Sequence, residues 1–305
     1  MTKALILKNI NKNYGNKKII DNINLTINEK DFYALIGPNG AGKSTIINII
    51  TGLTKKNSGK VFIFEKNIDH YKFISKFLIG LVPQESNCNL FENIKQILLY
   101  NAGYYGINYD IANKRINKYL VKLNLWNKRF LHFRKLSGGM KKRLMIARSL
   151  IHKPKLLILD EPTSGVDIEL RKSMWLFLKE LNIKGMTIIL ITHYLEEAEN
   201  LCNRAGIIYN GSLIENTSMK KLLKKLNSEI FILNINKNTN NIKLNEFNYK
   251  KIDKYSLEIE INYKQSLNDI FLQLNSQNIN ILRIHNKVSR LEKLFIDKLK
   301  IKEKL

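Results

Sequence analysis

The sequence predicts an α/β fold around a central parallel sheet, and three stretches predict it. Phe32-Tyr33-Ala34-Leu35-Ile36 leads into Gly37-Pro38-Asn39-Gly40-Ala41-Gly42-Lys43-Ser44-Thr45 and then Ile46-Ile47-Asn48-Ile49-Ile50, a strand–loop–helix succession. Leu156-Leu157-Ile158-Leu159 and Thr187-Ile188-Ile189-Leu190-Ile191-Thr192 are continuous apolar runs of strand length. Strands covered on both faces read this way in parallel sheets. In open α/β sheets, ligands bind where such strands end.

The loop at 37–45 has the composition of a phosphate cradle. Its glycines let successive backbone N–H groups turn inward toward phosphate oxygens. The following helix adds unpaired N–H groups and the positive end of its dipole. Lys43 is placed to reach the β- and γ-phosphates, and the Ser44 hydroxyl to ligate Mg²⁺. The whole of Gly37, Pro38, Asn39, Gly40, Ala41, Gly42, Lys43, Ser44 and Thr45 is assigned to a nucleoside triphosphate.

Composition bounds the rest. The chain has 305 residues, 44% of them hydrophobic, enough for two domains, expected at 1–218 and 219–305. No apolar run approaches the ~20 residues of a membrane span. Met1-Thr2-Lys3-Ala4-Leu5 lacks the features of a secretory signal. Cys88 and Cys202 lie far apart without metal-ligand spacing, as expected of two reduced thiols. The net charge of +25 is spread as +16 over 1–218 and +9 over 219–305. Arg supplies only nine of the 51 basic residues, while Asn, Ile and Lys abound, all encoded by AT-rich codons. The charge is therefore read as compositional bias, and no nucleic-acid partner is expected.

Along the chain, Ala4–Leu7, Asn9-Ile10 and Ile23–Ile27 alternate as antiparallel strands do, with turns at Asn-Gly or Gly-Asn positions. Tyr14 precedes the glycine loop, where its ring can stack on a purine base. Val61–Phe64 reads as a short strand. Leu78–Val82 reads as a buried strand delivering Gln84 at its C-terminal edge, where the amide can orient water or complete a Mg²⁺ shell. Residues 91–134 have helical periodicity and no catalytic grouping. Leu136-Ser137-Gly138-Gly139-Met140 opens a basic amphipathic run to Leu150, so Ser137, Gly138 and Gly139 form a second candidate anion site at a helix start.

The run at 156–159 delivers Asp160 and Glu161. Asp160 is assigned to Mg²⁺, directly or through water. Glu161 is assigned to the attacking water. Ser164-Gly165-Val166-Asp167 turns just beyond, and the run at 187–192 delivers His193, a candidate contact to the γ-phosphate. In the tail, 229–234, 255–262 and 279–285 read as strands, and 266–276 and 290–300 as helices, an α+β appendage without chemistry of its own.

The order Tyr14, GPNGAGKST, Gln84, LSGGM, LLILDEP, SGVD and His193 resembles the ATP-binding subunit of ABC transporters over residues 4–215. The resemblance implies a P-loop NTPase (RecA-like) core, an antiparallel β subdomain, a helical signature subdomain at about 85–150 and a small C-terminal α+β extension. It implies ATP and Mg²⁺ as cofactors and adds Asp167 to the nucleotide-binding residues. It also implies a head-to-tail homodimer, with each ATP between the P-loop of one copy and Ser137-Gly138-Gly139 of the other. The stretch from Leu136 to Trp175 is similar to subunits serving ABC-2-type permeases, mostly exporters, and Ser289–Phe295 to the closing helix of drug-exporter-type subunits. A peripheral position on the cytoplasmic face of the inner membrane follows from the same resemblance. Met140 departs from the Gln usual at that place. The alternatives are an ABC ATPase acting on nucleic acid or ribosomes, and a nucleotide-gated binding module that barely hydrolyses.

Overall fold

The alternating N-terminal stretch folds as one long hairpin, β1 (Lys3–Tyr14) and β2 (Lys17–Asn28), turned at Gly15-Asn16. Its polar interruptions suggest several shorter strands. Asn9 and Asn22 instead take positive φ at 49° and 45°, and the ladder shifts register and continues. Asn tolerates that backbone region, and bulges let a strand absorb it. The computed structural model describes residues 2–226, 228–239, 242–262, 265–287 and 291–295. The chain divides into two units, Met1–Ser218 and Met219–Leu305.

In the first unit, β3 (Phe32–Ile36) runs through the glycine loop into α1 (Lys43–Ile50). Next come β4 (Ser58–Ile63), β5 (Lys66–Asn67), α2 (Lys72–Leu78) and β6 (Ile79–Val82). β4 stops before Phe64 because Phe64 and Glu65 form the turn, with φ of 45° and 67°. β6 starts after Leu78, which closes α2. The helical stretch comprises α3 (Ile94–Tyr104), α4 (Tyr109–Lys122), two short 3₁₀ turns and α5 (Gly138–Leu150). Arg143 does not join a solvated basic face on α5. It is buried and donates to the carbonyls of Leu123 at 2.8 Å and Asn124 at 3.3 Å, tying α5 to the end of α4.

The unit continues through β7 (Leu156–Asp160), α6 (Ile168–Ile183), β8 (Thr187–Ile191) and α7 (Leu195–Leu201). It ends on a hairpin, β9 (Arg204–Tyr209) and β10 (Ser212–Ser218), turned at Asn210-Gly211. Both turn residues have positive φ, as a two-residue hairpin loop requires.

The main sheet has the order β10-β9-β3-β8-β7-β6, parallel except for β10. The second sheet is β2-β1-β4-β5, antiparallel throughout. Leu5, Leu7, Leu25 and Ile27 share one core with Ile46 and Ile50 of α1 and with Ile158 and Ile191 of the main sheet. That shared core fixes α1, and with it the glycine loop, against the sheet. Cys88 and Cys202 are free thiols, and no helix among the described residues is long and apolar enough to cross a membrane.

The second unit holds α8 (Met219–Leu223), β11 (Ser228–Ile235), β12 (Asn248–Asp253), β13 (Ser256–Asn262), α9 (Leu267–Ser276) and β14 (Ile281–Asn286). Its sheet runs β12-β13-β11-β14, antiparallel throughout. Leu233, Ile235, Leu257 and Ile259 pack with Ile270 and Leu274 of α9. β12 was not legible as a strand: at this sheet edge its NYKKID sequence is almost wholly exposed and has no apolar face to alternate. Of the helix expected over 290–300, residues 291–295 are helical and the others lie outside the described residues.

Candidate functional site: four strand ends beside a phosphate loop

Strands β3, β8, β7 and β6 are neighbours and parallel, so their C-terminal ends open on one edge. The glycine loop leaves β3, His193 follows β8, Asp160 and Glu161 follow from β7, and Gln84 follows β6. Residues up to 156 positions apart are thereby brought together by sheet order alone.

The loop is built for a ligand with oxygens. Gly42 holds the N-cap of α1 at φ 102°, and no side chain caps that helix. The first-turn N–H groups of an uncapped helix need a partner from outside it, and an anion suits both them and the dipole. A Cβ at Gly42 would come within 2.5 Å of Ile20 Cδ1, and one at Gly37 within 2.5 Å of the Ile208 carbonyl, whereas Gly40 faces open space. The loop is therefore wedged from behind and free in front. Lys43 Nζ folds onto the carbonyls of Gly37 at 2.6 Å and Pro38 at 2.8 Å. Burial lowers its pKa, and Glu161 and Asp160 oppose that shift. Ser44 is exposed at the same helix start. Ile19 and Ile20, against Gly42, belong to the hairpin end on which Tyr14 pairs with Lys17. Tyr14 is half-exposed, with Lys12 Nζ 4.8 Å from its ring centre.

Glu161 is the hub of the acidic side. Its Oε1 lies 3.0 Å from His193 Nδ1, and its Oε2 accepts from Gln84 Nε2 at 3.3 Å. Its backbone has φ 48°, and its N–H donates to the Ile191 carbonyl at 2.8 Å. A left-handed conformation at a non-glycine residue is strained, and such strain collects at functional sites. Asp160 is buried, and burial together with the neighbouring Glu161 raises its pKa against the pull of Lys43 and Lys142. Lys142 is the participant the sequence did not reveal. It reads as one of a basic run, yet its ammonium bonds the Gln84 carbonyl and lies in the field of both carboxylates. Its position in the first turns of α5, after Gly138-Gly139, is the only sequence signal that could have singled it out.

The remaining predicted residues lie apart from this cluster in their bonding. Ser137 caps α5, its Oγ accepting from the Met140 N–H at 3.3 Å, and Ser137 and Gly138 are exposed. Asp167 stands exposed at the start of α6 and makes no side-chain cap. Among the described residues, no hydrogen bond joins Ser137, Gly138, Gly139 or Asp167 to the glycine loop, Glu161 or His193 of the same chain.

Comparison with known proteins agrees with this geometry. The ABC transporter family model matches residues 20–164. The linearmycin resistance ATP-binding protein LnrL of Bacillus subtilis (strain 168) is 32% identical over 299 residues, covering 95% of this chain and 96% of that protein. The Nod factor export ATP-binding protein I of Cupriavidus metallidurans is 37% identical over 214 residues, 70% of this chain and 71% of that one. Among solved structures, an ATP-binding subunit of an ABC transporter aligns with TM-score 0.68 at 25% identity, covering 73% of this chain and 92% of that one. The cbiO1 protein of Clostridium perfringens aligns with TM-score 0.67 at 28% identity, covering 74% and 92%. An open-faced phosphate loop, an acidic residue held between an amide and an imidazole, and a relative matched over nearly its whole length have one common account: the chain belongs to the ATP-binding, ATP-hydrolysing subunits of the ABC transporter family.

Proposed function

We propose that two copies of this chain power export through a separate ABC-2-type permease, from the cytoplasmic face of the inner membrane. The observation that carries the pairing is the split between two anion sites. Lys43 of the glycine loop lies in the field of Glu161 and Asp160 of its own chain, whereas Ser137 and Gly138 are exposed and a Cβ at Gly138 would meet nothing within 4 Å. A second copy, placed head to tail, supplies what each lacks and closes on itself. Export is carried over from relatives named for linearmycin resistance and Nod factor export.

In this reading Tyr14 stacks on the adenine, and residues 37–45 hold the phosphates. Ser44, Asp160 and Gln84 would hold Mg²⁺, an ion that takes few protein ligands, and it would supply neutralisation of phosphate charge. Glu161 orients and polarises the attacking water. His193, whose Nδ1 lies 3.0 Å from that carboxylate, turns its other nitrogen to the γ-phosphate. Lys142 keeps the Gln84 loop close to the carboxylates. Ser137, Gly138, Gly139 and Asp167 act across the dimer, ATP gluing the copies and hydrolysis loosening them.

The test is recovery of the tagged full chain from gently solubilised native membranes, followed by mass spectrometry. A polytopic membrane protein is the expected companion. Ribosomal proteins or nucleic acid instead would overturn the transport reading and leave the ATP chemistry standing.

A further inference from the structure

A second carboxylate lies behind the Glu161–His193 pair. Glu197 on α7 is fully buried, at 0% exposure. Its Oε1 accepts from Thr163 Oγ1 at 3.0 Å and from Trp175 Nε1 at 2.9 Å, while its Oε2 has no hydrogen-bond partner among the described residues. A buried carboxylate is costly unless hydrogen bonds replace its water. Here the two donors come from two different segments. Thr163 stands two residues after Glu161, on the loop that runs to Asp167. Glu197 itself stands on α7, which begins two residues after His193. Trp175 belongs to α6, whose N-cap is Asp167.

The surroundings reinforce the same junction. Thr192 Oγ1 accepts from the Tyr194 N–H at 3.0 Å and shapes the His193 turn that enters α7. Arg171 of α6 attracts the carboxylate, and its guanidinium lies 4.4 Å from the Tyr194 ring centre. That ring in turn packs 4.1 Å from the imidazole of His193. Glu197 itself makes no hydrogen bond with Glu161 or His193 among the described residues.

We propose that Glu197 is a positioning residue that ties the Glu161–Asp167 loop to the His193 loop, so that acid and imidazole are held together and the two loops move as one body. The proposal rests on the roles given to Glu161 and His193. It predicts a loss in turnover rather than in ATP affinity, because the glycine loop is not part of the tie. It also predicts that cutting either end releases both loops.

The test is steady-state ATPase activity of full-length variants, expressed per molecule that binds a fluorescent ATP analogue, so that misfolded protein does not count. Thr163→Val and Trp175→Phe are each expected to lower kcat about tenfold with KM for ATP changed less than about twofold, and the double variant to fall little further. Glu197→Gln keeps the accepting oxygen and is expected within about threefold of the parent, while Glu197→Ala loses at least about tenfold. If Glu197→Ala does not fold, the Thr163 and Trp175 variants decide. Unchanged kcat in either donor variant, multiplicative losses in the double, or a Gln variant as poor as Ala would each overturn the proposal. Glu161→Gln, assayed alongside, tests the underlying assignment separately: if it retains turnover, that assignment falls, whatever the donor variants do.

Discussion

Two helices of the N-terminal unit begin at glycine-bearing candidate anion sites, and they begin in opposite circumstances. α1 has no side-chain cap, is wedged against Ile20, and starts beside Lys43 and the carboxylates after β7. α5 is capped by Ser137, and a Cβ at Gly138 would meet nothing within 4 Å. The first glycine set is required by the chain's own packing. The second is not, so its smallness answers to a surface that the single chain lacks. Glycines that look alike in sequence thus divide into those that let the chain fold and those that let something else approach.

The largest effect that would sharpen this contrast is at the hub of the first site. Glu161→Gln should lower ATPase turnover by at least about 100-fold while retaining ATP, so that an ATP-bound dimer persists in size-exclusion chromatography. Next comes Lys43→Ala, which should weaken equilibrium ATP binding by about tenfold or more and abolish hydrolysis if the ammonium is the direct phosphate partner proposed above.

Gly138→Asp probes the outward site. An acid in the first turn of α5 favours the helix dipole, so the melting temperature should hold or rise and ATP binding by the monomer should stay within about threefold. Turnover should nevertheless fall by at least about tenfold, because the carboxylate would face a partner's phosphate. Mixing Lys43→Ala with Gly138→Asp then breaks or proves the comparison. In a head-to-tail dimer both lesions fall in one site and the other is intact, so activity should reappear. If the mixture stays as inactive as its parts, each chain works alone. The smallest expected effect is Met140→Gln. Met140 engages the cap only through its backbone N–H, so kcat should change less than about tenfold, or ~1.4 kcal/mol.

The glycine loop, Gln84, Asp160, Glu161 and His193 were legible because each follows a run whose apolar continuity announces a buried strand, and a buried parallel strand has one productive end. What brought them together, the strand order β3-β8-β7-β6, is a property of long-range pairing that no local pattern encodes. Glu197 was hidden for a related reason. Between Glu196 and Glu199 it reads as part of a solvated acidic face, and only Thr163 and Trp175, 34 and 22 residues away, explain its burial. Lys142 and Arg143 were likewise submerged in a basic run, although one reaches the site and the other is interior. In the C-terminal unit, the strands that pack on α9 were readable and the polar edge strand β12 was not, because hydrophobic alternation reports burial and not hydrogen bonding.

The positive φ of Glu161 has a consequence for anyone breeding this protein for robustness. A side chain in that conformation costs on the order of 1–3 kcal/mol that Gly, or to a lesser degree Asn, would recover. Selection of random libraries on heat resistance alone should therefore enrich Gly or Asn at 161, and the hardiest clones would be inert. Screens that score survival must score phosphate release in the same well.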